Sequence, residues 1–464
     1  MFEIENACMQ AINLLEKGNT AESIIAFTEI LQKNDKVSLA WNNRGLGLLN
    51  LGHPFDAILN FDRAIALAPE DATNHNNRGA AFFDLGDAES ALAAFNTAIA
   101  IKPTFAEALM NRGNVLKYKG QLQDAIDSYR ASTKAKPNYA EAHLHLAFAT
   151  LMAGLYEEGW KEFEWRWKVN QMPERGLPYP VWDGGSLEGK TILIYAEQGF
   201  GDALQFIRYA PMVKQKFGGT VLVEVKQPLV RLVKTMEGID GIVTFGDRPP
   251  EGIDCQIAMM SLPLIMGTTM ETIPWPGPYF KADPYRASIW KERLKLLPKG
   301  PKIGICWAGM SRPGNPAAYN VDKKRSTTLD SFLPLAQVLG VSWVSLQKGE
   351  PSSQIKAPPR GMTIGEWTNE LDDFYDTAAL IDCLDLVITV DTAVVHLAAA
   401  LGKPTWLLSR YDGCWRWLGH RTDSPWYPTV RQFSQPKPGD WASVMEEASV
   451  ALREYAQGQI QKAA

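Results

Sequence analysis

The chain has 464 residues, 46% hydrophobic and 21% charged, with a formal net charge of −5 at pH 7. That length exceeds one ordinary core and points to two or three soluble domains, and no apolar run reaches the roughly 20 residues of a membrane helix. The negative balance leaves no general basic field for nucleic acid, and the cysteines Cys8, Cys255, Cys306, Cys383 and Cys414 are too scattered for a disulfide framework or zinc site and read as reduced thiols.

The first residues, MFEIENACMQ, carry acids where an export signal would carry basic residues and an apolar block, so a cytoplasmic location is expected. His143 and His145 lie close together, but no carboxylate or cysteine cluster completes a metal site, and none is expected.

The first third repeats itself. Gly18, Gly52, Gly86, Gly120 and Gly154 are 34 residues apart, and Phe27, Phe61, Phe95, Tyr129 and Phe163 keep the same interval. Ser23, Ala57, Ala91 and Ala125 do so too, and Pro69, Pro103 and Pro137 close three of the units. This pattern resembles the tetratricopeptide repeat, a helix pair with small residues, an aromatic and a terminal proline at such positions. Each pair leaves a face that only a stacked neighbour covers, so an all-α superhelix over residues 1–170 is expected. Asn43, Asn77 and Asn111 share the 34-residue interval on the first helix of successive units. The resemblance implies that this helix lines a concave groove, where primary amides can bind the backbone of a protein or peptide acceptor. The other reading is that these asparagines knit neighbouring helices together.

The fifth unit degenerates into GWKEFEWRWKVN, with Trp160, Trp165 and Trp167, and Trp182 follows a loop containing Pro173, Pro178 and Pro180. Residues 171–189 read as an aromatic and proline-rich joint that seals the last repeat against another domain.

After Gly189 strands alternate with helices. Buried strands are expected at TILIYA, TVLVEV, GIVTF and DCQIAM, giving an α/β lobe over 190–285. A second series starts at KIGICW and continues through SWVSLQ, LVITV and PTWLLS, giving another lobe over 286–435. The segment SRPGNPAAYNVDKKRS reads as a polar loop, basic at its end, and residues 436–464 as an amphipathic helix packing back across the first lobe. Two Rossmann-like lobes facing each other would leave a cleft.

The stretch from Leu386 to Pro404 passes from an apolar strand to a helix whose apolar residues Val394, Leu397, Ala398 and Leu401 recur at helical spacing. A helix that begins at the carboxyl end of a parallel strand attracts phosphate. Asp391 and Thr392 occupy that turn, and His396 lies one turn on, able to face the same anion. Otherwise Asp391 is a helix cap and His396 a surface residue. In the first lobe Glu197-Gln-Gly-Phe-Gly-Asp202 follows the first strand, where Gly199 and Gly201 would let the backbone approach a ligand. Glu224 mimics the acid of a dinucleotide site, but Leu204 replaces its third glycine, which disfavours that reading.

The two lobes resemble glycosyltransferases of the GT-B fold, and in motif the bacterial heptosyltransferase family. In that family a Gly-Asp pair opens the first helix, matched by Gly201-Asp202, and an Asp-Thr-Gly-x-x-His stretch holds the donor's diphosphate, matched by Asp391, Thr392 and His396, with Ala393 departing from the glycine. A basic loop before the second lobe's first helix is matched by Lys324, Arg325 and Ser326. The order of domains is similar to that of O-linked N-acetylglucosamine transferases and flagellin glycosyltransferases, which implies a protein acceptor.

The expectation is therefore an inverting, metal-independent transferase with no cofactor beyond its nucleotide-sugar substrate. Arg325, Lys348, Thr392 and His396 would bind the diphosphate with Ser326 assisting, and Gln347 would reach the nucleoside. Asp202 is the candidate base, with Glu197 in reserve; Asp202 reads otherwise as a helix cap. A non-catalytic scaffold that keeps the sugar-nucleotide fold, or a transferase acting on lipopolysaccharide or another glycan, are the alternatives.

Overall fold

A computed structural model describes residues 2–169, 175–310, 316–419 and 421–463. Its contacts divide the chain into two compact units, Met1–Ala153 with Lys161–Glu174 and Gly154–Trp160 with Arg175–Ala464.

The first unit is a stack of antiparallel helix pairs, among them Ser38–Asn50 with Pro54–Leu67, Ala72–Asp84 with Ala88–Ile101, and Ala106–Tyr118 with Leu122–Ala135. Gly52 and Gly86 have φ of 79° and 82°, the left-handed conformation that closes each helix and lets the chain double back. Ala68, Lys102 and Lys136, each preceding a repeat proline, leave the helical region, since proline clashes with a helical residue before it. Phe61, Phe95 and Tyr129 are buried against Gly45, Gly79 and Gly113 of the paired helix. A Cβ at Gly79 would lie 2.8 Å from the Phe95 ring, so the helices approach as closely as glycine permits.

The aromatic residues expected to form one joint divide between the units. Trp165 stacks on His143 at 3.8 Å in the first unit. Tyr156 and Trp160 belong to the second, where Trp160 packs edge-on against Phe206 and Trp415, and Tyr156 accepts a hydrogen bond from Trp426. The repeat domain expected over 1–170 is thus interrupted at 154–160, because those aromatics complete an α/β core. Pro173 and the rest of 170–174 lie outside the described residues.

The second unit holds two parallel sheets. In the first, β1 (Thr191–Tyr195), β2 (Thr220–Val225), β3 (Gly241–Thr244) and β4 (Cys255–Ala258) take the order β3-β2-β1-β4. In the second, β5 (Lys302–Cys306), β6 (Ser342–Ser345), β7 (Ile364–Gly365), β8 (Leu386–Val390), β9 (Thr405–Ser409) and β10 (Val430–Ser434) take the order β10-β9-β8-β5-β6-β7. That is the doubly wound dinucleotide-fold order, which reverses between β5 and β8 and opens a ligand position at their carboxyl ends. β8 is buried along its whole length, as a central parallel strand must be. The protein is thus an all-α repeat superhelix followed by α/β lobes.

Two expectations are corrected. The second half of the basic loop is a helix, Pro316–Arg325, whose last turn carries Lys323, Lys324 and Arg325; residues 311–315 lie outside the described residues. The terminal helix, Trp441–Ala463, packs on the second lobe itself. Its Val444, Met445, Ala448, Leu452 and Ala456 share a core with Ile303, Trp343 and Phe433, because its apolar stripe covers the open face of that lobe's own sheet. The two lobes touch along a contact seam. Phe200 meets Phe374 at 5.1 Å, and Arg231 of the first lobe pairs with Asp373 and the buried Asp376 of the second.

Candidate active site

The seam brings two helix N-termini together. The helix Phe200–Phe206 starts after β1 with Gly199 as N-cap, and Asp202 in its first turn accepts a hydrogen bond from the Gly199 N–H at 2.9 Å. The helix Ala393–Ala400 starts after β8, capped by the Thr392 hydroxyl, which accepts from the Val394 N–H at 3.3 Å. Asp391 is therefore not the cap. A Cβ on Gly201 would stand 2.8 Å from His396 Cδ2 and 3.7 Å from the Cα of Ala393, so glycine is what allows the two termini to touch.

His396 does not lie on the surface. It is 4% exposed, its ring stacks on Trp417 at 5.1 Å, and Nδ1 shares a 3.1 Å hydrogen bond with the Tyr427 hydroxyl. Burial, helped by the charges of Arg416, Arg208 and Arg325, holds its pKa well below the ordinary imidazole value, so it is neutral at pH 7. It packs against the seam.

Arg325, expected in a loop after β5, reaches the carboxyl end of β8. Nη1 donates to the Asp391 carbonyl at 2.9 Å, Nη2 pairs with Asp322, and Nε is buried with no hydrogen-bond partner among the described residues. Ser326 accepts from the Gly309 N–H at 3.0 Å and so fastens the helix Pro316–Arg325 to the end of β5.

Gln347 and Lys348 are turned toward the protein's own backbone. Gln347 is 2% exposed; its Oε1 accepts from the N–H groups of Trp307 and Ala308 at 3.0 and 2.8 Å, and its Nε2 donates to the carbonyls of Ala308 and Lys348. A side-chain amide engaged at both ends braces the β5 and β6 termini and is not placed to read a nucleoside. The Lys348 ammonium donates to the carbonyl of Leu371. Glu197 stands at the strand-order reversal of the first sheet, accepting from the Met260 N–H at 3.2 Å. The structure thus joins Gly201, Asp202, Thr392 and His396 with Arg325 and Asp391, and leaves Gln347, Lys348 and Glu197 outside that cluster.

One residue of the cluster had no sequence expectation. Arg416, 9% exposed, reaches over from the turn after β9 and pairs with Asp202 of the other lobe; Nη1 donates to Cys414 Sγ at 3.1 Å. Burial opposes its charge, but Asp202, Cys414 and Asp391 outweigh that and raise its pKa above the usual arginine value. An arginine between two tryptophans, Trp415-Arg416-Trp417, was the available signal.

In the first unit the asparagines are stitched across repeats. Asn77 donates to Asn42 at 3.1 Å, Asn111 donates to Asn76 at 3.0 Å, and Asn76 donates to Asn77 at 3.2 Å; Asn43 donates to Leu39 within its own helix. The knitting reading is the one these bonds support.

Comparison with known proteins agrees with this layout. Residues 42–104 match the tetratricopeptide repeat, 113–154 match a TPR repeat, and 373–409 match glycosyltransferase family 9 (heptosyltransferase). The last segment carries β8, Asp391, Thr392 and His396. Protein FlbA of Caulobacter vibrioides is 28% identical over 339 residues, which cover 68% of this chain and 55% of FlbA. The chain thus spans about half the length of that curated relative. Among solved structures, MamA is similar at 24% identity (34% of this chain, 92% of that chain, TM-score 0.31). PilW, a type IV pilus biogenesis factor, is similar at 23% identity (36% and 80%, TM-score 0.34), and a thermophilic TPR protein in Thermus thermophilus at 20% (36% and 92%, TM-score 0.33). The chain therefore combines tetratricopeptide repeats with a segment of family 9 type. Among the described residues no helix is long and apolar enough to cross a membrane.

Proposed function

We propose that this protein is a glycosyltransferase that moves a sugar from a nucleotide-sugar donor to a protein or peptide acceptor brought by the repeats, with inversion and without a metal. The observation that carries the reading is the position of Arg325 beside the Thr392-capped helix, at the strand-order reversal and against the family 9 segment. The bond from the anomeric carbon to the diphosphate breaks with its electron pair left on the diphosphate oxygen. Helix N–H groups and the Arg325 guanidinium stabilise that charge. The acceptor's O–H or N–H attacks from the opposite side, and its proton passes to Asp202, or to Glu197 in reserve. Because charged nucleotide sugars do not cross lipid, the reaction belongs in the cytoplasm.

The test is a thermal-shift panel of UDP-, GDP-, ADP- and CMP-sugars on wild type and Arg325→Ala. A true donor stabilises wild type, and loss of the charge-assisted contact weakens it by about 1.5–3 kcal/mol. No stabilisation by any donor leaves the fold as an interaction scaffold. Analysis of the glycosylated product separates a peptide acceptor from a glycan. Turnover should survive EDTA; activity lost and restored by Mn²⁺ or Mg²⁺ defeats the metal-free mechanism.

A further inference from the structure

Asp202 presents a difficulty as a base. One carboxylate oxygen accepts from Gly199, and the other is held by Arg416. With both oxygens engaged by the protein's own donors, the carboxylate is not free to take the hydrogen bond of an incoming acceptor.

Arg416 is itself held with unusual firmness. Its turn ends at Leu418, whose φ of 52° puts a leucine in the left-handed region, a strained conformation that persists only where surrounding contacts enforce it. Those contacts are present: Trp417 is 2% exposed and stacked on His396, its carbonyl accepts from Gln432 at 2.8 Å, and the Leu418 N–H donates to Trp415. The strained turn aims the guanidinium at the seam between the two helix N-termini. Its Nε is buried with no hydrogen-bond partner among the described residues. Asp391, whose carbonyl holds Arg325, acts electrostatically on Arg416 as well.

Resting on the donor reading above, we propose that Arg416 is a second diphosphate-binding cation that exchanges partners. In the free protein it holds Asp202; when the nucleotide sugar arrives, the guanidinium turns to the diphosphate and releases Asp202 to accept the acceptor's proton. The base is then withheld until donor is bound, which protects the donor from premature attack by water and imposes an order of donor first, acceptor second. Arg325 anchors the diphosphate from the side of the second lobe, and Arg416 couples its arrival to the carboxylate of the first.

The exchange makes an unusual demand. If Asp202 competes with diphosphate for Arg416, removing its charge strengthens diphosphate binding, because a buried guanidinium left without its carboxylate gains more from a new anion. Isothermal titration of UDP, GDP and ADP into wild type, Asp202→Asn, Arg416→Gln and Arg416→Lys reads this directly. Asp202→Asn should bind the preferred nucleoside diphosphate about tenfold more tightly than wild type, and Arg416→Gln about tenfold less tightly, with Arg416→Lys between wild type and Gln. A purely structural ion pair would lower the melting temperature in each variant but would not tighten binding in any. Should Arg416→Gln fail to fold, Asp202→Asn alone decides. Unchanged or weaker binding by Asp202→Asn, with wild type binding normally, overturns the exchange and leaves the donor reading standing. Wild type that binds none of the three diphosphates overturns the donor reading, and the exchange with it.

Discussion

Replacing Gly201 by alanine tests whether the meeting of the two helix N-termini is as tight as the structure makes it. The new Cβ would stand 2.8 Å from His396 Cδ2 and 3.4 Å from Nε2, whereas carbon atoms in contact settle at about 3.5–4.0 Å. A retreat of roughly 1 Å is therefore required of the imidazole. It has no room to make it, stacked on Trp417 and hydrogen-bonded to Tyr427, so the lobes or the Ala393–Ala400 helix must shift. Overpacking of this kind costs about 1–3 kcal/mol, partly offset by up to about 1 kcal/mol from alanine's helix propensity. A net loss of about 1–2 kcal/mol corresponds to a fall of a few degrees in melting temperature. Gly458→Ala is the control, since among the described residues nothing lies within 4 Å of a Cβ there and only the propensity gain remains. Differential scanning calorimetry compares the two, and donor titration follows the displaced Thr392 cap, with affinity expected to fall in Gly201→Ala alone. If Gly201→Ala is as stable as Gly458→Ala and binds donor normally, the seam is looser than described and His396 is not its packing element.

In the repeats, Gly79→Ala would press a Cβ to 2.8 Å from the Phe95 ring and should cost about 1–3 kcal/mol, with Phe95→Leu partly rescuing it in the double mutant; additive losses by calorimetry would refute direct contact. His145, one 34-residue interval beyond Asn111, stacks on Tyr129, and burial followed by the charge of Lys117 pushes its pKa down to about 4. A lowered histidine pKa means that the unfolded chain binds the proton more readily, so this contribution is complete above about pH 6.5 and is lost as pH falls toward 4. It amounts to about 2–3 kcal/mol; His145→Asn should flatten that part of the stability profile in denaturant titrations at pH 7 and pH 4.5, and an identical profile would refute it.

The repeat unit was legible because its signal is a period, and a period needs no tertiary knowledge. The doubly wound lobe was legible for a similar reason: strands and helices alternate, and β8 is apolar at four of its five positions because it is central. The short β7 and the edge strand β10 were not read, since two residues carry no pattern and Val430–Ser434 alternates its burial weakly. At the site, position along a strand foretold proximity but not orientation. Gln347 follows the carboxyl end of β6, where ligands bind, yet its amide closes on Trp307, Ala308 and Lys348, a partnership only the folded chain reveals. Arg416 shows the converse. Its partner is 214 residues away, and its local context of tryptophans suggests core packing.

The asparagine column offers the last discrimination, because its three members are not equivalent. Asn77→Ala would leave two buried partners unsatisfied, the Asn42 carbonyl oxygen and the Asn76 amide nitrogen, and an orphaned buried polar group costs about 1–3 kcal/mol. Asn111→Ala orphans only the Asn76 oxygen, while Asn43→Ala removes a bond within its own helix and orphans no side chain among these bonds. Stability should therefore fall in the order Asn77, Asn111, Asn43, with Asn43→Ala within about 0.5 kcal/mol of wild type. Asn43 is then the clean probe of the groove. If Asn43→Ala raises the acceptor KM at unchanged stability and unchanged donor hydrolysis, the column binds peptide as well as knitting repeats. If its KM is normal while Asn77→Ala loses stability, the amides hold the superhelix together and the acceptor is gripped elsewhere. Equal destabilisation by all three would refute the hydrogen-bond ladder from which this order is drawn.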